Sequence, residues 1–230
     1  MSGPPRLGPL VASVAVPAAL RPLQAAGRDV QTRAPEPDRD APALFAATAG
    51  DPEMWTWMGY GPFADESALK DWMQEAAAST DPRWFTVERR RDGAPVGMAA
   101  LMNWSPAHRR VELGHIWYAR AARRTTVNTE ALLLAGIEAF DCLRARRLEW
   151  KCDALNLRSM AAARRLGFTY EGTFRQHLVV KGRNRDTAWF SITDEEWPAR
   201  RSALERWLYE TPRDPHGRPT APLDPGAAVG

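Results

Sequence analysis

A basic turn stands directly before a long apolar run of the chain. The first N–H groups of a helix have no partner inside the helix, and together with the helix dipole they favour anions. The guanidinium groups of Arg123 and Arg124 can add charge-assisted hydrogen bonds. The turn therefore predicts a pyrophosphate-binding site, with an ordinary basic loop as the alternative. Its residues are Arg123, Arg124, Thr125, Thr126, Val127, Asn128 and Thr129.

Several other kinds of reactive site are not indicated by the sequence. The four His residues show no metal-ligand spacing, and neither a nucleophile elbow nor a P-loop signature occurs. Cys142 lies in an apolar helical run and Cys152 ends a strand-like run, so neither a disulfide scaffold nor a zinc site is predicted. We expect no bound metal, and a reducing cytoplasm is the simplest location.

Composition and charge fit one folded domain. A chain of 230 residues with 44% hydrophobic and 26% charged residues has ordinary globular values. The net charge of +3 suits an anionic ligand, but the Lys and Arg runs of nucleic-acid binders are missing. Pro17 interrupts the mildly apolar stretch at residues 10–20, so we predict neither a signal peptide nor a membrane span. Nucleic acid and membrane are therefore not expected partners.

The elements that must position the turn can be read from the hydrophobic periodicity. Helices are expected from about residue 37, at 64–78, 128–143 and 156–166, and within 197–208. Strands are expected at 29–33, 84–89, 96–103, 110–118, 147–152, 168–180 and 185–192. Proline-rich ends flank these elements, so residues 1–26 are predicted to be an extended arm, 27–210 the domain and 211–230 a flexible tail.

Four sequence segments, together with this order of elements, indicate one protein family. They are Glu112-Leu-Gly-His-Ile-Trp, the turn and helix start from Arg123 to Ala131, the run from Asn156 to Phe168, and Gly182-Arg-Asn-Arg-Asp-Thr-Ala-Trp-Phe. Together they resemble the RimJ/RimL-type branch of the GNAT superfamily over residues 27–200. The resemblance implies an α/β (α+β) fold with one twisted, mostly antiparallel sheet and helices on both faces. A local parallel pair between 110–118 and 147–152 is part of that expectation.

The same resemblance implies an acyl-CoA-dependent N-acyltransferase. The expected reaction moves acetyl from acetyl-CoA to a primary amine, either a protein N-terminus or a small amine metabolite or antibiotic. Attack would be direct, with a tetrahedral intermediate, no acyl-enzyme and a backbone N–H near Trp117 polarising the thioester carbonyl. Trp117 and Tyr118 are therefore expected to contact the coenzyme.

Two residues receive catalytic roles from the resemblance. Glu112 lies on the strand that resembles the family's central strand, which splays from its neighbour, and it is expected to accept the amine proton through water. Its alternative is a buried structural Glu held by hydrogen bonds. Many family members carry a Tyr where Ala163 stands here, so Ser159 is expected to assist the leaving thiolate. Asn156 and Ser159 would lie beside the pantetheine arm, although Asn156 can equally be a helix cap and Ser159 a packing residue.

Departures from the family pattern keep other functions open. Thr126 and Asn128 occupy positions where the family usually has small residues, and a Cβ restricts close phosphate approach. With Ala163, this motivates a non-catalytic acyl-CoA sensor as the alternative. A succinyl-type donor is a further alternative, because Arg175 could meet a distal carboxylate.

The acceptor pocket is expected between the first two helices, their loop and the final hairpin. Candidate lining residues are Trp57, Tyr60, Phe63, Arg175 and His177. For each of them, simple packing or solvation is the alternative. The apolar hairpin is also compatible with a homodimer.

Overall fold

The computed structural model describes residues 7–215 and 217–226. Within them the strands are β1 (Ala25–Ala26), β2 (Val30–Arg33), β3 (Arg83–Arg89), β4 (Ala94–Ser105), β5 (Arg110–Tyr118), β6 (Arg147–Asp153), β7 (Thr169–Val180) and β8 (Arg183–Thr193). The helices are α1 (Pro37–Thr48), α2 (Glu66–Ala78), α3 (Val127–Ile137), α4 (Leu157–Arg165) and α5 (Trp197–Tyr209). A π-helical turn, Glu138–Cys142, extends α3.

The strands form one sheet in the order β1-β2-β3-β4-β5-β6-β8-β7. Neighbouring strands are antiparallel except β5 and β6, which are parallel. The expected fold class and the local parallel pair are therefore confirmed. β1 is an additional short strand that the periodicity did not predict.

Local signals explain several of the helix ends. The Asp65 side chain accepts a hydrogen bond from the backbone N–H of Ala68, and the Asn156 side chain accepts one from Ser159. Both residues therefore cap their helices, α2 and α4. Gly167 has φ +93°, a left-handed conformation that favours glycine and ends α4.

The sheet has two covered faces. Leu132, Ala163 and Leu204 represent α3, α4 and α5 in the larger core, which lies on the face called here the back face. Leu44 and Leu69 represent α1 and α2 in a smaller core on the opposite front face. Because strand side chains alternate between the faces, β3, β4 and β5 contribute residues to both cores, as Phe85 and Trp84 of β3 show.

Parts of both chain ends pack on the domain. Leu20 and Leu23 are buried in the back core, and Trp104 donates its indole N–H to the carbonyl of Pro17. In the tail, Leu223 is buried and Trp207 donates to the carbonyl of Ala221. The sequence predicts loose ends because both ends are rich in proline. The apolar residues between the prolines nevertheless pack on the core.

Among the described residues, no helix combines the length and the apolar character needed to cross a membrane.

Candidate active site at the gap between β5 and β6

The central feature is a gap that opens between β5 and β6. The two strands pair at three positions only, ending with Glu112 opposite Glu149. Beyond this point β5 continues to Tyr118 and β6 to Asp153 without pairing to each other. The unpaired edge of β5 leaves backbone groups that a ligand can use. The splayed strands agree with the expectation from the sequence.

A bulge shapes the same part of β5. Gly114 lies opposite Ala100 and Trp117 opposite Met98, so two residues of β5 face one residue of β4. His115, inside the bulge, has φ +54°. The bulge shifts the alternation and lets the side chains of both His115 and Trp117 join the front-face aromatic residues, at 4.5 Å from Trp84 and 5.1 Å from Trp55 respectively, measured between ring centroids.

The predicted phosphate turn lies at the start of α3. In the described part of the chain, the backbone N–H groups of Asn128 and Thr129 have no protein acceptor. These are first-turn donors at the positive end of an eleven-residue helix. Arg124 is exposed, has φ +60° and forms no hydrogen bond or ion pair with another described residue. The backbone and Arg124 are therefore available to an anion.

The other side chains of this turn bind the protein itself. Arg123 donates from Nε to the carbonyl of Tyr118 at 2.9 Å, and its guanidinium lies 2.7 Å from Asp51. Thr126 donates its hydroxyl to Asp29 at 2.6 Å. The Thr125 hydroxyl donates to the carbonyl of Ala122. These contacts hold the turn in shape, so its residues divide into unpaired and supporting groups.

Thr129 and Tyr118 complete the predicted coenzyme residues of this region. Thr129 is buried and accepts a hydrogen bond from Arg165 of α4, while Val127 packs in the back core. Tyr118 is buried in the same core, and burial raises the pKa of its hydroxyl. Both side chains are thus part of the support behind the gap.

Glu112 is buried at the point where the two strands separate. Its Oε2 atom accepts a hydrogen bond from Asn103 at 2.8 Å and lies 2.8 Å from the ammonium nitrogen of Lys151. Its Oε1 atom has no hydrogen-bond donor among the described residues. A Cβ on Gly114 would lie 3.3 Å from Oε1, so the glycine keeps this oxygen uncrowded. Glu112 therefore combines a fixed orientation with one free oxygen.

Ser159 lies on the other face of the sheet. Its hydroxyl oxygen accepts a hydrogen bond from the indole N–H of Trp150 at 3.1 Å, and its own O–H remains a donor that has the Cys152 sulfur within reach. Cys152 is next to it, and burial raises the pKa of that thiol while Ser159 opposes the shift. The structure thus places Ser159 and Glu112 on the back and front faces of one gap.

An aromatic cluster covers the front side. Tyr60 stacks on Trp72 with ring centroids 4.5 Å apart, and Phe63 meets Trp55 edge-on at 5.2 Å. Burial raises the pKa of Tyr60 well above its ordinary value, and the Trp117 indole opposes this. Tyr60 and Phe63 therefore belong to this cluster, and their role as pocket-lining residues stays a prediction. Trp57 is half-buried and has no aromatic contact among the described residues, so it stands apart.

The final hairpin contributes a separate, open wall. Arg175 and His177 line a groove of about 870 Å³ on β7 and β8. The ring of His177 lies 6.0 Å from that of Trp189, and the ammonium group of Lys151 lies 4.9 Å above the Trp189 ring. His177 therefore connects through Trp189 and Lys151 to Glu112, whereas Arg175 stays exposed.

A comparison with known proteins assigns the family. A family model described as an acetyltransferase (GNAT) domain matches residues 30–169, more than half of the chain. The chain belongs to the GNAT acetyltransferases. The match runs from β2 to the first residue of β7 and includes the gap and the turn before α3. This GNAT chain is therefore an N-acetyltransferase.

Individual relatives agree with this family. The putative ribosomal N-acetyltransferase YdaF of Bacillus subtilis is 29% identical over 132 residues, covering 57% of this chain and 70% of the relative. A GCN5-related N-acetyltransferase from Brucella melitensis has a TM-score of 0.85 at 38% identity, covering 89% of this chain and 94% of the other. A probable GNAT-family acetyltransferase from Chromobacterium violaceum has a TM-score of 0.77 at 38% identity, covering 85% and 100%.

Sequence reasoning missed several residues of this GNAT chain that surround the gap. Burial, followed by the charges of Lys151 and Arg185, lowers the pKa of His115 to about 4. Lys151 and Asn103 orient Glu112, and Trp150 orients Ser159. A signal existed for Lys151, because β6 alternates charged and apolar residues and pairs in parallel next to Glu112. No comparable local signal marks His115.

The described residues hold no group of three or more His, Cys, Asp or Glu side chains arranged to bind a metal ion.

Proposed function

We propose that this GNAT chain transfers an acetyl group from acetyl-CoA to a primary amine by direct attack. The observation that carries the proposal is the two-sided gap, with unpaired helix-start N–H groups at the back and an oriented carboxylate at the front. The free N–H groups of Asn128 and Thr129, with Arg124, fit a pyrophosphate. When bound, the coenzyme supplies an activated acyl group as a thioester.

Glu112 has the geometry of a proton acceptor. An amine acceptor is largely protonated near neutral pH and must lose a proton before its nitrogen can attack. Oε1 of Glu112 is free to receive that proton through a water molecule, while Asn103 and Lys151 fix the carboxylate through Oε2. As the new C–N bond forms and the C–S bond breaks, the Ser159 hydroxyl can donate a hydrogen bond to the departing sulfur, and the thiolate takes up the second proton that the attacking nitrogen loses.

The acceptor is a primary amine that reaches Glu112 past the aromatic cluster. A protein N-terminus and a small amine metabolite or antibiotic both fit this chemistry. The relative named as a putative ribosomal N-acetyltransferase makes ribosomal-protein N-terminal peptides a first group to test.

The test combines turnover with coenzyme binding. Free-thiol release from acetyl-CoA is measured with N-terminal peptides and small amines, and calorimetry gives the dissociation constant of acetyl-CoA. We expect amine-dependent thiol release. Coenzyme binding without thiol release from any amine would contradict catalysis and favour an acyl-CoA sensor.

A double variant tests the turn itself. Replacing Arg123 and Arg124 with Ala removes one ligand-facing charge and one support of the turn, so the dissociation constant should rise about 10-fold or more. Arg91→Ala, which removes an exposed charge at the β3–β4 turn, is the matched control. An unchanged dissociation constant in the folded double variant would reject the turn as the phosphate site.

A further inference from the structure

Arg185 lies at the wide end of the gap, outside the segment that the family model matches. The pairing of β6 with β8 ends at Asp153 and Thr187. Arg185 lies two residues before Thr187 in β8, beyond the end of this pairing. Strand alternation puts Arg185 on the same face as Thr187 and Trp189. Trp189 carries Lys151 over its ring, so this is the front face.

The guanidinium group of Arg185 has no partner within residues 7–215 and 217–226. It makes no hydrogen bond and no ion pair there, and its Nε atom is buried without an acceptor. Two other half-buried arginines are paired with carboxylates: Arg33 with Asp40 and Glu88, and Arg147 with Glu149 and Glu171. A partly buried charge without a partner is costly, so an anionic ligand at Arg185 would be stabilising.

The carboxylates around Arg185 are engaged elsewhere. Glu112 pairs with Lys151, and Asp153 accepts the backbone N–H of Leu155. Asp186, the next residue, alternates to the other face and accepts hydrogen bonds from Gln176 and Asn184. None of them neutralises Arg185.

The other basic groups near Arg185 are either paired or neutral. Lys151 is already matched by Glu112. The pKa of His115, lowered to about 4 by burial and then by Lys151 and Arg185, keeps this ring neutral at neutral pH. The excess positive charge at the front of the gap therefore belongs to Arg185.

We propose that Arg185 binds a carboxylate carried by one of the two substrates. The inference rests on the proposed function and names a specificity group for it. A planar guanidinium matches a carboxylate with two parallel hydrogen bonds. The carboxylate can belong to the amine acceptor, as in an amino acid or acidic peptide, or to the distal end of a dicarboxylic acyl donor.

The kinetic test uses pairs of substrates that differ only in this charge. One arm compares carboxylate acceptors with their carboxamides, using acetyl-CoA. The other compares succinyl-CoA with acetyl-CoA, using an uncharged amine. We expect the wild type to favour the carboxylate member in one arm by roughly 10-fold in kcat/KM. Arg185→Gln should abolish that preference and leave the uncharged member and the acetyl-CoA dissociation constant nearly unchanged.

Matched variants separate charge recognition from folding. Arg183→Gln removes an exposed charge on the same strand and should keep the preference, while Arg185→Lys should retain part of it. Each variant is checked for a native melting temperature. A wild type without preference in either arm, or a preference that survives in Arg185→Gln, would overturn the proposal.

A binding measurement keeps the inference independent of turnover. Calorimetry compares N-acetylglycine with N-acetylglycinamide, and succinate with succinamide, in the presence of coenzyme A. We expect one anion to bind at least about 5-fold more tightly than its amide to the wild type, and not to Arg185→Gln. If no amine is turned over but this difference is present, the acyltransferase proposal fails and the anion site remains. Equal binding of anion and amide to the wild type in both pairs rejects the site.

Discussion

The two faces of the sheet differ at the gap. On the back face, α3 is buried over most of its length and the polar side chains of the turn are mostly held by the protein, as with Thr126 and Asp29. On the front face, aromatic rings surround the gap, and Arg185 is left without a partner among the described residues. The back face thus offers a ligand mainly backbone groups, whereas the front face offers side chains.

This difference separates the part of the site that the family match covers from the part that lies outside the match. Backbone donors at a helix start recognise any pyrophosphate and depend little on side-chain identity. The family match covers this back-face turn and ends at Thr169, before the hairpin that carries Arg185. We infer that the back face of this GNAT chain serves the coenzyme and that the front face decides the acceptor.

The largest expected effect comes from changing the front-face carboxylate. Glu112→Gln keeps the size of the side chain but removes its basicity, and loss of a general base costs on the order of 10²- to 10⁴-fold in rate. The defect should shrink as the pH rises, because an alkaline medium supplies neutral amine without help. A pH–rate profile of wild type and variant measures this.

Ser159→Ala is the back-face counterpart of that substitution. It should lower kcat by less than Glu112→Gln, because a thiolate is already a fair leaving group. Acetyl-CoA affinity should stay unchanged.

Full activity of folded Glu112→Gln at neutral pH would remove Glu112 as the base, and a defect that follows the melting temperature would assign it a structural role.

A further prediction concerns the stability of the front face. The pKa of His115 is about 4 in the folded chain and about 6.5 in the unfolded chain, so the folded state favours the neutral ring. The contribution to stability is complete above about pH 6.5 and is lost as the pH falls toward 4. The loss amounts to about 3 kcal/mol over that window.

Urea unfolding at about pH 7.5 and about pH 4.5 tests this prediction. His115→Asn should reduce the destabilisation on acidification, since asparagine tolerates the positive φ of this position but does not titrate. His108→Asn, at an exposed His in the β4–β5 turn, is the control. An equal acid sensitivity in the His115 variant and the wild type would refute a buried neutral ring.

Much of the fold could be predicted because its signals are local. β5 was expected at 110–118 and is found at Arg110–Tyr118, since its residues alternate between the two faces. The caps Asp65 and Asn156 act within one helical turn, and so they too are visible in the sequence. The end of α3 is different, because its last turn becomes a π-helical turn that periodicity does not distinguish from an α-helix.

The candidate site was harder to predict because its contacts join distant residues. Lys151 reaches Glu112 only through the register of the parallel pair. Glu130, near the start of α3, accepts hydrogen bonds from the backbone N–H groups of Arg28, Asp29 and Val30. Such partners depend on the assembled fold: alternation in β6 indicates the face of Lys151, but no spacing in the sequence identifies the residue that it contacts. The roles assigned to the site residues stay predictions.

The smallest expected effect concerns a contact between the β7–β8 hairpin and the segment that carries Trp55 and Tyr60 of the aromatic cluster. Lys181, at the tip of the β7–β8 hairpin, donates from Nζ to the carbonyls of Trp55, Tyr60 and Gly61 at 3.0, 3.3 and 2.7 Å. These three acceptor residues lie in the segment between α1 and α2, which carries Trp55 and Tyr60 of the aromatic cluster. Lys181 is therefore a positioning residue for the acceptor side. Lys181→Met keeps the length of the side chain and removes its hydrogen-bond donors.

We expect Lys181→Met to raise the KM of the acceptor a few-fold while kcat and the acetyl-CoA dissociation constant stay close to wild type. Its cost in stability should be about 1 kcal/mol or less, because the hydrogen bonds are largely exposed to water. Lys70→Met, which breaks a surface ion pair with Asp38, is the control for loss of a lysine charge. Steady-state kinetics in both substrates decides the matter. An effect on acetyl-CoA equal to that on the acceptor would mean that the hairpin supports both faces, and the division between them would then be wrong.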